Sequence, residues 1–281
     1  MKKILLSFLG LIILCTCEVK RTKITSNCCE PAQVSMASFA GDPSFIEKHE
    51  NPLSIDFEPT IGEMISFKTD DGTNANAFLC KASKPSNKYL IVIQEWWGLN
   101  DYIKKEAEKY AKDLPNVNVI ALDMYDGKVT NKREEAAELM KAFKTERGKT
   151  IILGAKTYMG KNAKISTVGW CFGGAWALQT ALILGKQVKG CVMYYGMPEK
   201  DKDRLKGLKA EVLGIFGSQD KWITGEVVQG FEGTLKELGK KYTIKSFDAD
   251  HAFANPSNPK YNEKYANEAY TMSLAFIKGK I

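Results

Sequence analysis

The chain of 281 residues is 44% hydrophobic and 10% aromatic, enough to bury one sizeable core within a single domain. Its formal net charge of +7 comes from lysines spread along the whole length. With no Lys/Arg block and no interleaving of basic and aromatic residues, the charge argues against a nucleic-acid partner and for an ordinary solvated surface.

Taken in order, the chain opens with Met1-Lys2-Lys3 and an apolar run from Ile4 to Leu14, too short to cross a bilayer. The run ends in Leu14-Cys15-Thr16-Cys17, which resembles a bacterial lipobox. Residues 1–17 are therefore expected to be a signal peptide, with Cys17 lipidated and the protein held by that anchor in the bacterial cell envelope. An ordinary secretory signal or a retained anchor helix remains open. Residues 18–59 show no sustained period and read as a tether and an irregular arm. His49, within the charged stretch Glu47-Lys48-His49-Glu50, reads as a solvated surface histidine. The folded domain is expected over 60–281.

Glu63 to Thr69 and Asn76 to Lys81 alternate apolar and polar residues around Asp70-Asp71-Gly72-Thr73, the pattern of an edge hairpin. From Lys88 onward, short buried strands alternate with amphipathic helices. Strands are expected at 89–93, 117–122, 165–170, 188–194, 212–216 and 243–247, and helices at 102–113, 131–145, 150–160, 173–184, 225–238 and 261–278. Such alternation implies an α/β fold with a mainly parallel central sheet and helices on both faces. Chemistry in these sheets collects at the carboxyl ends of the strands.

One strand end is distinctive. Gly169-Trp170-Cys171-Phe172-Gly173 has the form Gly-x-nucleophile-x-Gly, with cysteine where serine usually stands. Two glycines let strand and helix approach closely, and a helix starting there favours a thiolate and offers N–H groups to an oxyanion. A buried structural cysteine is the alternative. Further strand ends supply Glu95, Asp220 and His251, and the order Cys171, Asp220, His251 is the nucleophile–acid–base order of an α/β-hydrolase. Cys28, Cys29, Cys80 and Cys191 form neither a disulfide framework nor a metal-binding spacing.

The stretches Gln94-Glu95-Trp96-Trp97-Gly98, Gly169 to Gly174, Tyr194-Tyr195-Gly196, Gly217-Ser218-Gln219-Asp220 and His251-Ala252-Phe253 together resemble the dienelactone hydrolase family of α/β-hydrolases. The resemblance implies Cys171 as nucleophile, His251 as base, Asp220 as orienting acid, and an oxyanion hole made by the backbone N–H groups of Trp96 and Phe172. It also implies that Glu95 contacts the resting thiol and rearranges when substrate enters. Trp97, Tyr125 and Tyr195 are candidate substrate contacts. No cofactor and no metal are expected, and a monomer acting on a small ester or lactone is the expected form. Family members that cleave dienelactones place arginines after the Asp-x-Tyr strand end and after His-x-Phe. Asp123 to Lys128 and His251 to Asn255 contain none, so a carboxylate-bearing lactone is in doubt as the natural substrate. Two other classes stay open: a hydrolase-fold binding lipoprotein without turnover, and a thiol redox protein in which Cys191 approaches Cys171.

Overall fold

The computed structural model describes residues 36–281. Aliphatic runs between polar turns become eight strands: β1 (Gly62–Lys68), β2 (Asn74–Cys80), β3 (Lys88–Ile93), β4 (Asn118–Leu122), β5 (Lys164–Trp170), β6 (Val188–Tyr194), β7 (Glu211–Gly217) and β8 (Tyr242–Phe247). They form one sheet in the order β1-β2-β4-β3-β5-β6-β7-β8. The pairings of β1 with β2 and of β2 with β4 are antiparallel, and the rest are parallel. β1 is largely exposed along its length, as an edge strand should be, whereas β5, β6 and β7 are buried nearly throughout because helices cover both faces.

The helices are α1 (Pro43–Lys48), α2 (Asp101–Asp113), α3 (Arg133–Ala142), α4 (Thr145–Met159), α5 (Phe172–Leu184), α6 (Lys202–Lys206), α7 (Gly225–Glu237) and α8 (Glu263–Lys278). Two differ from expectation in extent. α4 starts at Thr145 rather than Thr150, and α3 stops at Ala142, with the break falling at Phe143 and Lys144 in extended backbone. The short α6, capped by the Asp201 carboxylate on the N–H groups of Asp203 and Arg204, has too few apolar residues to show a period. α5 is apolar on nearly every side and lies buried against the sheet, which is what a helix without a polar face requires.

From β3 the chain first moves to β4 on one side, then crosses to β5 and continues outward on the other. Connections diverging on either side of β3 and β5 leave a crevice at their carboxyl ends, the usual place for a ligand in an open parallel sheet.

The arm is more ordered than its composition suggests. Asp42 caps α1 by accepting from Ser44 N–H at 2.8 Å, with Pro43 in the first turn. Met36 and Phe45 are fully buried. Further along, the Glu108 carboxylate accepts from the N–H groups of Thr60, Ile61 and Gly62 at 2.7, 2.8 and 3.1 Å. Arg133 N–H donates to the Asn51 side chain at 2.8 Å, and the Tyr102 hydroxyl donates to the Leu53 carbonyl at 3.1 Å. The Asn51 and Leu53 bonds hold the arm at the carboxyl edge of the sheet, where α2 and α3 begin, and the Glu108 bonds hold its last residues at the start of β1.

Candidate active site

β5 ends at Trp170 and α5 begins at Phe172, so Cys171 alone makes the turn. Its backbone is held at φ 53°, ψ −117°, a region that side-chain-bearing residues rarely occupy. The close approach needs the flanking glycines. A Cβ on Gly169 would stand 2.1 Å from the Gly173 carbonyl oxygen, and one on Gly173 would stand 2.2 Å from the Ile93 carbonyl oxygen. The turn is tied by Cys171 N–H to the Tyr194 carbonyl at 3.0 Å and by Gly174 N–H to the Cys171 carbonyl at 3.0 Å. The other non-glycine residues at positive φ among those described are Asp126, Tyr195 and Ala252. With Cys171, each follows the carboxyl end of β4, β5, β6 or β8, so backbone strain gathers at one edge of the sheet.

Asp220, just after β7, accepts from the N–H groups of Trp222 and Ile223 at 2.9 and 3.0 Å through one oxygen. Through the other it accepts from His251 Nδ1–H at 2.6 Å. The imidazole is thereby fixed with Nε2 turned away from Asp220, and that atom is buried with no hydrogen-bond partner among the described residues. Burial opposes charge on His251, but the Asp220 and Cys171 charges together outweigh it and hold its pKa well above the usual histidine value. Burial likewise acts to raise the Asp220 pKa, and the imidazole and the two N–H bonds outweigh it, leaving the carboxyl below its ordinary range. Burial pushes the Cys171 thiol up, the Glu95 charge adds to this, and His251 and the Phe172 N–H oppose it.

Glu95 follows β3 and is buried. Its hydrogen bonds among the described residues go to the Tyr195 hydroxyl at 3.5 Å and to the Asn255 amide. The resemblance implied a contact with the resting thiol; here the carboxylate acts on Cys171 through its charge. Burial pushes the Glu95 pKa up to about 7, against the lowering influence of His251, Tyr195 and Asn255. The carboxyl therefore changes charge near neutral pH. Asn255, which holds Glu95 and accepts from Ser257 N–H at 2.8 Å, did not stand out in the sequence because nothing in its local pattern marks it.

His49 corrects the sequence reading. It is only 5% exposed, not a solvated surface residue. Its Nδ1–H donates to the Phe45 carbonyl at 2.7 Å, and its ring lies 5.4 Å from His251 and 4.8 Å from Trp96 between centroids. Burial and the neighbouring His251 drive its pKa down to about 3, so the ring is neutral. The charged neighbours Glu47, Lys48 and Glu50 misled the reading. The usable signal was Phe45 one helical turn earlier, in a helix announced by Asp42-Pro43. Phe45 packs edge-on against Trp96 and Trp222 at 5.3 and 5.1 Å, so the arm roofs the crevice and Cys171 is 1% exposed.

Of the remaining candidates, Trp96 is fully buried beside Trp97, and the Tyr125 ring lies 5.4 Å from that of Phe172, tilted by 48°. The Tyr195 ring lies 5.0 Å from His251. Lys128 is exposed, and Arg147 is committed to Asp126 and Asp71 at 2.6 and 3.2 Å, so no arginine fork from this side faces the thiol. Cys191 pairs with Thr167 well below the strand ends, where burial pushes its thiol up to about 12. Cys191 thus stands opposite a residue four positions before Cys171 on a neighbouring strand, which takes away the approach that a Cys171–Cys191 redox couple needs. Cys15, Cys17, Cys28 and Cys29 lie outside the described residues.

A mostly parallel sheet with a nucleophile elbow after β5, an acid after β7 and a histidine after β8 defines an α/β-hydrolase. Within that class, the model of the dienelactone hydrolase family matches residues 75–280, and the chain belongs to that family. The carboxymethylenebutenolidase of Pseudomonas putida is 27% identical over 240 residues, covering 77% of this chain and 96% of that protein. Carboxymethylenebutenolidase 1 of Cupriavidus pinatubonensis is 22% identical over 236 residues, covering 77% and 97%. Among solved structures, a dienelactone hydrolase-like promiscuous phosphotriesterase from metagenomic libraries superposes with a TM-score of 0.68 at 17% identity, covering 79% of this chain and 99% of that one. The dienelactone hydrolase of Anabaena variabilis superposes at 0.56 with 16% identity, covering 79% and 100%. The chain is accordingly a hydrolase of the dienelactone hydrolase type, acting on ester or lactone bonds of a small molecule.

Proposed function

We propose that the protein hydrolyses small esters or lactones through a covalent acyl-enzyme on Cys171, with His251 as base and Asp220 as the group that orients it. The observation that carries this reading is the strained Cys171 elbow beside an imidazole whose Nδ1–H is held by Asp220 at 2.6 Å. Substrate entry displaces Glu95 and relieves its repulsion of the thiolate. The thiol proton passes to His251 Nε2, the sulfur attacks the carbonyl carbon, and the oxyanion is met by the N–H groups of Trp96 and Phe172. The carbonyl re-forms as the carbon–oxygen bond breaks, and His251 returns a proton to the leaving alkoxide. Water, deprotonated by the same imidazole, then releases the acid and restores the thiol.

Trp97, Tyr125 and Tyr195 are the proposed substrate contacts. A crevice walled by Trp96 and Trp97 and lacking an arginine fork favours an uncharged, apolar acyl group over a carboxylate-bearing lactone. The lipobox-like Leu14 to Cys17 extends the proposal to an exported enzyme tethered by a lipid at Cys17. The deciding experiment is Cys171→Ala measured against a panel of nitrophenyl esters and lactones. Turnover should vanish with the fold intact, and an acyl adduct trapped on the wild-type chain should be missing from the variant. A folded Cys171→Ala protein that keeps most of its activity would overturn the mechanism.

A further inference from the structure

We propose that the arm and the elbow together form a binding site for one thiophilic divalent cation, Zn2+ in the first instance, held by His49, Cys171 and His251. A ring nitrogen from each histidine and the Cys171 sulfur lie within 4.8 Å of one another, and all three residues are buried. Around a tetrahedral Zn2+, with ligand distances of about 2.0–2.3 Å, such atoms stand on the order of 3.5 Å apart. Small side-chain rotations close that gap.

The surroundings of the two rings are those a metal-binding histidine needs. His49 Nδ1–H is spent on the Phe45 carbonyl at 2.7 Å, and His251 Nδ1–H on Asp220 at 2.6 Å. A backbone carbonyl and a carboxylate are the usual outer partners that fix the tautomer and leave Nε2 as the ligand. Both Nε2 atoms are buried without a hydrogen-bond partner among the described residues. His251 Nε2 has only the Cys171 sulfur beside it and His49 Nε2 has nothing among the described residues, so a buried ring nitrogen stands unpaired, and a cation between the two rings and the sulfur satisfies it. Glu95 lines the same cleft, with Trp96, Trp97 and Asn255, and its carboxylate or a water completes a fourth position.

The three ligands come from separate stretches of chain, and His49 belongs to the arm. Binding releases to solvent the protons held by the Cys171 sulfur and His251 Nε2 and places the sulfur and both imidazoles on the metal. The site itself is independent of the catalytic reading. Its consequence for turnover rests on that reading: a cation here occupies Cys171 and His251 and pins the arm over the crevice, so the loaded enzyme is closed.

The test uses the full chain with Co2+ as a spectroscopic probe and Zn2+ as competitor. One Co2+ per chain should bind with a thiolate-to-cobalt charge-transfer band, and Zn2+ should abolish the band and block alkylation of Cys171. His49→Asn keeps a donor for the Phe45 carbonyl while removing Nε2, so it preserves packing better than alanine. It should weaken Zn2+ affinity at least about tenfold, since even outer partners of a ligand cost 10–100-fold. Cys171→Ala should lose the band entirely. Wild-type Zn2+ affinity in His49→Asn, or a band that persists in Cys171→Ala, would overturn the site. Because the band requires no turnover, a failure of the hydrolase mechanism leaves it readable. Zn2+ inhibition of ester hydrolysis in the wild type, needing about tenfold more metal in His49→Asn, would carry the consequence as well as the site.

Discussion

Replacing Glu95 by Gln keeps the shape of the side chain and removes its charge. The Gln amide oxygen can still accept from Asn255, whose own oxygen is committed to Ser257, and its NH2 can donate to the Tyr195 hydroxyl. In the folded protein the Glu95 pKa is pushed from 4.5 up to about 7, chiefly by burial. Between those two values the folded state binds the proton more tightly than the unfolded state does. Wild-type stability therefore falls as pH rises through this window, and the cost is complete above pH 7. At 1.36 kcal/mol per pH unit the displacement amounts to about 3 kcal/mol. Glu95→Gln should match the wild type in urea stability near pH 4 and exceed it by about 3 kcal/mol at pH 8, other titrations cancelling in the difference. The same variant should lower the Cys171 thiol pKa, because one of the influences raising it is gone. Alkylation at neutral pH should then be faster than in the wild type. A stability difference independent of pH, with identical alkylation profiles, would refute the reasoning.

Other outcomes follow from the same geometry. His251→Ala and Asp220→Asn should each lower kcat by about three to four decades, and steady-state kinetics on a nitrophenyl ester decide it. Gly169→Ala drives a methyl group into the Gly173 carbonyl oxygen at 2.1 Å, so it should cost about 3 kcal/mol or more in urea denaturation. Cys17→Ser should release the protein from the membrane fraction or leave an uncleaved precursor, whereas Cys15→Ser should be processed. Mass spectrometry of the mature N-terminus checks this, and an unmodified terminus beyond Cys17 would rule lipidation out.

Much of the fold was written in local pattern. β6 and β3 are runs such as Tyr89-Leu90-Ile91-Val92-Ile93, whose length and flanking turns leave little choice. The elbow was legible because close packing admits so few residues at 169 and 173. The places of Asp220 and His251 followed from strand ends, which a parallel sheet aligns at one edge. What stayed hidden depended on distant contacts. The burial of His49 is decided by Trp96 and His251, not by its charged neighbours, and the hold of Asn255 on Glu95 joins loops after β8 and β3. The start of α4 was missed because Thr145 to Lys149 is polar, and its turn is set by Gly148 packing under Trp176.

The roof over the crevice also dictates an order of assembly. Phe45 and His49 find their partners at Trp96, Trp222 and His251, two of them near the far end of the chain. Contacts so remote in sequence form late, after the loops that supply them are in place. A chain folding for the first time thus builds its elbow before it can cover it. During that interval the Cys171 thiol is open to solvent, and whatever meets it first, oxidant, electrophile or metal, competes with completion of the fold.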